Sequence, residues 1–392
     1  MTSVDEARRA YIAMGCLVEP GSRALGEAVI KHGPVEALRR LLSGALDPAL
    51  HGAVAARLPA GDPYDVADAA LARAERLGAR IVTPLDEEWP ARLADLTRIS
   101  RGRDRHERDT YPPLCLWLRG PWPLAEALDR SVAVVGARAA TGYGEHVATE
   151  LAYGLADRGW TVVSGGAYGI DSAAHRGVLS AGGVTVAVLA CGVDRAYPVS
   201  NASLFERIAE TGLLISEWPP GAEPHRHRFL IRNRVIAAAT VGTVVVEAAA
   251  RSGAIQTLRR ASELGRIAMA VPGPVTSAMS VGTHEALRSE EVRLVTGWAH
   301  VLEEVGRIGT DLAPVPRGPE RPRDRLDPLI AQVLDAVGRR AAGPEQIAAA
   351  AGVSLPTAMR ALSVLAAGGF VVIRDGGYAL PRGRPDPVRS DR

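Results

Sequence analysis

Short apolar runs alternate with amphipathic segments through the middle of the chain. Beginning with LCLWLRG, the later runs are SVAVVGA, TVVSGGA, VTVAVLACG, LLISEW, TVVVEA and RIAMAVPG. Each run is nearly continuous and rich in β-branched residues, which is typical of strands buried on both faces. Helical segments are predicted between most of them, over residues 144–158, 171–181, 201–211, 234–239 and 255–264. This alternation predicts an α/β fold with a doubly wound, mostly parallel sheet, whose ligands bind at the carboxyl ends of the strands.

The two ends of the chain have a different pattern. Short Ala- and Leu-rich helices are predicted before the apolar runs, over residues 6–14, 22–31, 34–42 and 65–77, with a short strand at 80–83. Beyond the runs, residues 312–325 have the Pro- and Arg-rich composition of a linker. Helices are then predicted over residues 327–337, 344–351 and 355–366, and FVVIR and YAL form a hairpin. Three helices and a hairpin make a winged helix.

These patterns define the domain organisation. We predict an N-terminal helical domain over residues 1–75, the α/β domain over 76–308, a linker over 309–324, a winged-helix domain over 325–381 and a disordered tail over 382–392. Within the α/β domain, residues 98–108 (RISRGRDRHER) are predicted to be a solvated, charged loop.

Composition limits the kinds of site that the chain can carry. The net charge of its 392 residues is only +2, so a nucleic-acid site must be a local patch. Lys31 is the single lysine, which a GC-rich genome explains without any selection for arginine. The three cysteines have no metal-ligand spacing and favour a reducing cytosol. The N-terminus lacks an apolar leader and no apolar stretch has the length of a membrane span, so we expect a cytoplasmic protein without a membrane partner.

A basic cluster lies within the predicted α/β domain, between residues 224 and 234. The stretch PHRHRFLIRNR contains no acidic residue and one aromatic residue, Phe229. Its arginines are Arg226, Arg228, Arg232 and Arg234. Guanidinium groups neutralise phosphates and an aromatic ring stacks on an unpaired base, so the stretch predicts a site for single-stranded nucleic acid. Phe229 could instead belong to the core.

The first predicted strand–turn–helix unit, SVAVVGARAATGYGEHVA, indicates a phosphate site. It has neither G-x-G-x-x-G nor G-x-x-x-x-G-K-[ST], so it does not indicate a dinucleotide or a nucleoside triphosphate. Gly136 ends the strand, Arg138 follows, and a helix begins near Thr141, an arrangement that suits one phosphate. The alternative is a tight turn with a solvent-facing Arg138.

The second unit, TVVSGGAYGIDSAAHRG, contains Gly165 and Gly166, which permit close backbone approach. We interpret Asp171 as the cap of the following helix, and a role as catalytic acid is the alternative. His175 follows one helical turn later, so the two side chains can meet on one face.

Glu217 and Glu247 each end an apolar run, and Arg232 or Arg234 is the expected partner of these carboxylates. Arg234 thus has a structural role as an alternative to a binding role. Ser164, Ser216 and Ser252 have no evident base and no metal cluster is visible, so the sequence favours a binding protein without catalytic residues, metal or cofactor.

Several motifs occur together over about half of the chain. They are WPARLADL, PPLCLWLRG, VGARAATGYG, SGGAYGIDSAAHRGVLSAGGVTVAVLACGVDRAYP, LLISEWPPG, FLIRNRVIAAAT, VVVEAAARSGA and GRIAMAVPG. In this combination the chain resembles the DprA/Smf family, the DNA-processing proteins of bacterial transformation. The resemblance implies an extended Rossmann-like domain that binds and protects single-stranded DNA without sequence preference. It also implies a homodimer that loads the RecA recombinase and works beside single-stranded DNA-binding protein, with an N-terminal SAM-like and a C-terminal winged-helix domain.

The resemblance also implies which residues contact the strand. They are Gly136, Arg138, Gly165, Gly166, Tyr168, Gly169, Arg226, Phe229, Arg232, Asn233 and Arg234. Tyr168 stands where many members carry a basic residue, which exchanges a phosphate contact for stacking. Leu230 replaces a proline of the family pattern, and Gly282-Thr283-His284 replaces a Gly-x-Asn.

Two other functions are compatible with parts of the sequence. A nucleotide phosphoribohydrolase of the lysine-decarboxylase-like type would need PGGxGTxxE, and the nearest stretch, AATVGTVVVEA, has no PGG. A transcription factor would use the winged helix, but its recognition helix, SLPTAMRALSVLAAGG, offers one arginine beyond Ser and Thr.

Overall fold

The computed structural model describes residues 3–58, 61–99, 110–306 and 322–381. The chain divides into two compact units, one up to residue 313 and one from residue 314, which are described separately. Residues 100–108 of the predicted charged loop, 309–321 of the predicted linker and the predicted tail at 382–392 lie outside the described residues.

The first unit combines N-terminal helices with a nine-stranded sheet. Its helices are α1 (Ser3–Leu17), α2 (Arg23–His32), α3 (Pro34–Leu42), α4 (Pro48–Arg57), α5 (Pro63–Arg76), α6 (Leu124–Asp129), α7 (Gly142–Asp157), α8 (Ile170–Ser180), α9 (Ala202–Thr211), α10 (Arg228–Ala239), α11 (Gly253–Glu263), α12 (Val281–Leu287) and α13 (Trp298–Val305). Its strands are β1 (Ala79–Val82), β2 (Leu116–Arg119), β3 (Ser131–Val135), β4 (Thr161–Ser164), β5 (Thr185–Leu189), β6 (Leu213–Ser216), β7 (Gly242–Val245), β8 (Ile267–Ala270) and β9 (Val292–Leu294).

The strand order is β1-β2-β6-β5-β4-β3-β7-β8-β9. All neighbours from β6 to β9 are parallel, and β1 and β2 add an antiparallel edge. The chain moves outward from β3 through β4 and β5 to β6, then returns across the sheet to β7 on the other side of β3. This order confirms the predicted doubly wound, mostly parallel sheet and places its switch point between β3 and β7.

Helices cover both faces of the sheet because alternate side chains of each strand point to opposite sides. In β3, Val132 and Val134 pack in a cluster with residues of α7 and α8. Ala133 and Val135 pack on the other face, with residues of α10 and α11. Burial on both faces explains why the central strands are continuous apolar runs in the sequence.

The N-terminal helices pack on the antiparallel edge of the sheet. Residues of α1, α2 and α3 share one apolar cluster with Ile81, Cys115 and the wholly buried Trp117 of β2. Asp47 and Asp62 begin α4 and α5 by accepting backbone hydrogen bonds from Ala49 and Tyr64. The predicted helices are thus present, and the SAM-like assignment and the boundary at residue 75 stay predictions.

The second unit has the predicted sequence of elements. Its helices are α14 (Pro328–Asp335), α15 (Pro344–Ala351) and α16 (Leu355–Ala367), and its hairpin joins β10 (Val372–Arg374) to β11 (Gly377–Ala379). Its classification as a winged helix stays a prediction. In the part of the chain that the structure describes, no single helix is long and apolar enough to cross a membrane, and α15 and α16 meet that criterion only as a pair bent by 106°.

Several elements of the first unit differ from the sequence prediction, and α4, α6, α12 and α13 had no predicted counterpart. α10 begins at Arg228, whereas the helix was predicted from residue 234, so more than half of the basic cluster is helical. The segment is helical because Ile231 and Val235 of α10 are buried against the rest of the protein, although its sequence has only a weak helical pattern. β9 was not predicted because it is an edge strand of only three residues, in which Arg293 separates two apolar residues and two of the three side chains are exposed.

Candidate functional site

A crevice of about 710 Å³ opens at the carboxyl ends of β3, β4 and β7. Its lining comes from five segments that lie apart in the chain, one of which contributes Tyr197 after β5. The other four contribute Gly136 and Arg138 after β3, Ala167 and Asp171 after β4, Pro224, Arg226, Phe229, Leu230, Arg232 and Asn233 around the start of α10, and Arg251, Ser252, Gly253, Ala254 and Thr257 after β7. The crevice therefore lies at the switch point, where a doubly wound sheet binds its ligand.

Gly136 lets three strand ends meet at the base of the crevice. A Cβ there would lie 2.6 Å from Ile170 and 2.9 Å from the carbonyl oxygen of Glu247. The next residue, Ala137, donates its N–H to that carbonyl at 2.7 Å, and its own carbonyl accepts from Ile170 at 3.3 Å. These contacts fix the turn so that Arg138 emerges exposed at the rim.

An aromatic pair forms one wall. The ring centroids of Phe229 and Tyr197 are 5.3 Å apart and the rings are tilted by 51°. The guanidinium carbon of Arg138 lies 5.0 Å from the centroid of Phe229, a cation–π contact. Phe229 is half-buried and lines the crevice, so one ring stands beside a free positive charge.

Three exposed arginines surround the opening: Arg138, Arg226 and Arg251. None of the carboxylates in the described ranges forms an ion pair with them. The N-terminus of α11 adds to the positive potential, with Ser252 as its cap. The crevice therefore presents three cations whose charge is not locally neutralised.

Arg251 and Tyr197 belong to the lining but were missing from the predicted site. A signal for Arg251 exists in the sequence, because Arg251-Ser252-Gly253 stands between a buried strand and a helix. That is a position at which doubly wound folds bind anions. Tyr197 has no such local signal, and only the tertiary structure brings it to Phe229.

Arg232 forms the floor of the crevice. It is buried, and its guanidinium donates to the carbonyls of Gly165, at 2.8 Å, and Val188, and to Asn233 Oδ1 at 3.0 Å. Burial lowers the pKa of Arg232 to about 10, so it stays charged at neutral pH. It therefore adds a fixed charge beneath the ligand and holds the ends of β4 and β5 together.

Asp171 closes the loop after β4 instead of capping its own helix. Its carboxylate accepts the backbone N–H groups of Gly165, at 3.2 Å, and Ala167, at 3.3 Å, whereas the cap position of α8 is Gly169. The cap interpretation is therefore wrong. Burial raises the pKa of Asp171, and the charge of Arg232 and these hydrogen bonds oppose that shift.

Gly165, Gly166, Gly169 and Tyr168 lie behind or beside the crevice and do not line it. At Gly165 a Cβ would come within 2.3 Å of the Arg232 guanidinium, so the close approach predicted there is made by Arg232. Gly166 and Gly169 are buried. Tyr168 is half-exposed, and its hydroxyl accepts a hydrogen bond from Ser200 at 3.0 Å. Contact of Tyr168 with a ligand stays a prediction.

Arg234 is a predicted contact whose side chain the fold buries away from the crevice. Its side chain is wholly buried and donates to both carboxylate oxygens of Glu217, each at 2.7 Å. A guanidinium held in this way cannot meet a ligand at the surface, so its structural role replaces the binding role. Glu247 pairs with neither arginine, and it accepts from the backbone N–H and hydroxyl of Thr141 at 2.9 and 2.6 Å.

His175 lies in the core and does not meet Asp171. Its Nδ1 is 2.7 Å from the hydroxyl of Thr185, which itself donates to the carbonyl of Val162, so Nδ1 must be the donor. Burial lowers the pKa of His175 to about 3, and the charges of Arg232 and Arg176 act in the same direction. The ring is therefore neutral in the folded protein.

The stability of the protein should fall with acid partly because of His175. Its folded pKa lies below the unfolded value, so its contribution is complete above about pH 6.5 and is lost as the pH falls toward 3. Urea unfolding of wild type and His175→Gln at pH 7 and pH 5 measures the effect. The wild type should lose about 2 kcal/mol more than the variant, and equal losses would contradict a neutral buried ring.

Across the residues that the structure describes, no group of three or more His, Cys, Asp or Glu side chains is arranged to hold a metal ion. What the geometry provides is a positive crevice with an aromatic wall.

Comparison with known proteins agrees with this geometry. The family model of DNA recombination-mediator protein A matches residues 80–306. The chain is 43% identical over 380 residues to the putative DNA processing protein DprA of Mycobacterium tuberculosis, covering 97% of this chain and 96% of that protein. It is 36% identical over 255 residues to protein Smf of Escherichia coli, covering 64% of this chain and 68% of that protein.

A solved structure shows the same architecture. The X-ray structure of DNA processing protein A from Streptococcus pneumoniae superposes with a TM-score of 0.58 and 30% identity, covering 76% of this chain and 96% of that one. The family match extends over more than half of the chain and includes every segment that lines the crevice. The chain therefore belongs to the DprA/Smf family of DNA-processing proteins, the DNA recombination-mediator protein A family.

Proposed function

We propose that the crevice binds single-stranded DNA without sequence preference, as part of DNA uptake and recombination. The observation that carries this proposal is the set of three unpaired arginines, Arg138, Arg226 and Arg251, beside the ring of Phe229. Arginines neutralise backbone phosphates, and an accessible ring stacks on a base that has no partner strand. Bases in a duplex are already stacked and paired, so the ring favours single strands.

We expect little sequence preference because two acceptors of the crevice are already engaged. The side-chain oxygen of Asn233 accepts a hydrogen bond from Arg232, and the Asp171 carboxylate accepts two backbone N–H groups. Base-edge recognition needs donors and acceptors that are free to pair. The remaining contacts are charge and stacking, which every base provides equally.

The phosphate contacts should be visible as a change in salt dependence. Arg226→Gln and Arg251→Gln should each weaken binding to all single strands by about tenfold and lower the slope of log K against log salt by about 0.7. Fluorescence anisotropy with labelled oligonucleotides over a salt series provides both values.

Arg130→Gln is the matched control for these variants. Arg130 is exposed and precedes β3, so it lies at the amino edge of the sheet, away from the crevice. It carries the same charge change and should leave both affinity and slope as in wild type. Equal wild-type affinity for blunt duplex and single strand would overturn the proposed function.

We further propose that the chain works as a homodimer that loads the RecA recombinase onto the bound strand, in the presence of single-stranded DNA-binding protein. The description of the family as recombination mediators supports this step. RecA ATPase activity on strands coated with single-stranded DNA-binding protein should rise when the chain is added. Sedimentation should give twice the monomer mass.

We infer binding rather than catalysis at this site. The buried carboxylates that an enzyme could use are engaged: Asp171 with backbone N–H groups, Glu217 with Arg234 and Glu247 with Thr141. A general base needs to reach the proton that it abstracts. Release of base from nucleoside monophosphates would instead support the phosphoribohydrolase alternative.

A further inference from the structure

Glu19, which follows the first N-terminal helix, contacts the segment that leads into α10. Glu19 follows the end of α1, and its side chain is about one-third exposed. It accepts hydrogen bonds from Arg228, at 2.5 Å from Nη2 and 3.1 Å from Nε, and from Trp218 Nε1 at 2.9 Å. Arg57, at the end of α4, donates to it at 2.6 Å. Glu19 thus gathers donors from two parts of the chain.

Arg228, which Glu19 holds, also contacts Trp218 and Glu223, earlier in the same segment of residues 218–228. Its third donor, Nη1, reaches the carbonyl of Glu223 at 2.7 Å, and its guanidinium carbon lies 5.3 Å from the ring of Trp218. Arg228 is buried and is the first residue of α10. The Arg228 side chain therefore links residues along the segment 218–228 to one another. This segment contains Arg226.

A second contact from the N-terminal helices holds the same segment. Arg73 of α5 pairs with Asp194 at 3.0 Å, and Asp194 accepts the backbone N–H of Gly221 at 2.7 Å. None of the side chains that form these two contacts lines the crevice, whereas Arg226 and Phe229 do.

We propose that Glu19 is a positioning residue for DNA binding: by holding Arg228 it keeps residues 224–229 in the shape that presents Arg226 and Phe229 to the strand. This inference rests on the proposed function of the crevice. A segment that is ordered before the ligand arrives loses less conformational entropy on binding, so affinity rises without an added contact. The N-terminal helices are in this way part of the binding site although none of their residues lines it.

The opposite role for Glu19 would be to mask Arg228 from the phosphates. Two features favour positioning. Arg228 is buried with all three of its nitrogens engaged, so a phosphate would have to displace several hydrogen bonds. The carboxylate is also well suited to hold a cation: burial works against its ionisation, yet the hydrogen bonds from Arg228 and Trp218 keep the pKa of Glu19 below its usual value.

The variant Glu19→Gln separates the two roles. Positioning predicts that the Kd for single-stranded DNA rises roughly tenfold while the salt slope stays as in wild type, because no phosphate contact is lost. Hydrogen–deuterium exchange should accelerate in peptides covering residues 218–230 of the free protein. A second replacement, Arg228→Gln, should add little to the effect of Glu19→Gln, since both break the same tie. Masking predicts tighter binding by Glu19→Gln, which would overturn the inference.

The control is another ion pair of the same helices. Arg9 of α1 donates to Asp68 of α5 at 3.0 Å, and this pair does not touch residues 218–230. Asp68→Asn should therefore leave the Kd unchanged. If Glu19→Gln does not fold, Glu19→Asp, which keeps the charge but shortens the side chain, must show the same weaker binding and faster local exchange.

The outcomes also separate this inference from the function on which it rests. If the wild type binds single strands and Arg226→Gln weakens that binding, while Glu19→Gln binds normally, only the positioning role is wrong. If Glu19→Gln lowers the salt slope by about 0.7, it has removed a phosphate contact and the role is again wrong. A wild type that does not bind single strands would refute the proposed function and this inference with it.

Discussion

Arg234→Met should lower the free energy of unfolding by about 3–5 kcal/mol. Arg234 and Glu217 are both buried and share two hydrogen bonds of 2.7 Å, so the substitution leaves a carboxylate in the core without its partner. Urea unfolding followed by circular dichroism measures the loss. DNA affinity of the folded fraction should change little, because Arg234 does not line the crevice.

The double variant Arg234→Met with Glu217→Leu is the control for this prediction. Replacing both partners with apolar side chains removes the unpaired charge, so much of the stability should return. A single variant that melts like the wild type but loses DNA binding would contradict the structural role and restore Arg234 as a contact.

Phe229→Ala should weaken binding of single-stranded DNA by about 1–3 kcal/mol. The ring lines the crevice beside Arg138 and Tyr197, so a base that enters the crevice meets an aromatic surface. The salt slope should stay nearly constant, since the ring carries no charge. Anisotropy titrations at several salt concentrations test both statements.

Phe229→Leu distinguishes stacking from packing. Leucine fills much of the volume without an aromatic face, so it should bind almost as weakly as alanine if stacking is the interaction. If Phe229→Leu binds like the wild type, or if Phe229→Ala loses stability but not affinity, the ring belongs to the core only.

The sheet was predictable because burial on both faces leaves a strong mark on the sequence. Strands β3 to β8 are short apolar runs whose ends carry glycine or polar residues, and the structure confirms them. The same reasoning fails at β9, whose side chains are partly exposed and need not be apolar. Whether a strand can be recognised from the sequence thus depends on whether it lies in the centre or at the edge of the sheet.

The site was predictable in its location and less so in its members. The carboxyl edge, Arg138, Arg226 and Phe229 follow from the strand order and the basic cluster. Arg232 and Arg234 look equivalent to Arg226 in the sequence, but the start of α10 at Arg228 turns both into the interior. At that start Arg228 donates hydrogen bonds to Glu19, which is distant in sequence, and α10 packs on the sheet, so the local pattern could not reveal where the helix begins.

Every cation of the crevice is an arginine, and Lys31 of α2 is the single lysine of the whole chain. Acetylation of lysine removes a positive charge, whereas methylation of arginine keeps it. The guanidinium charge is also constant over the physiological pH range. The positive charge of the crevice is therefore insensitive to lysine acetylation and to physiological changes of pH, and the conformation of the segment that presents Arg226 is the remaining means of adjusting how that charge meets a ligand.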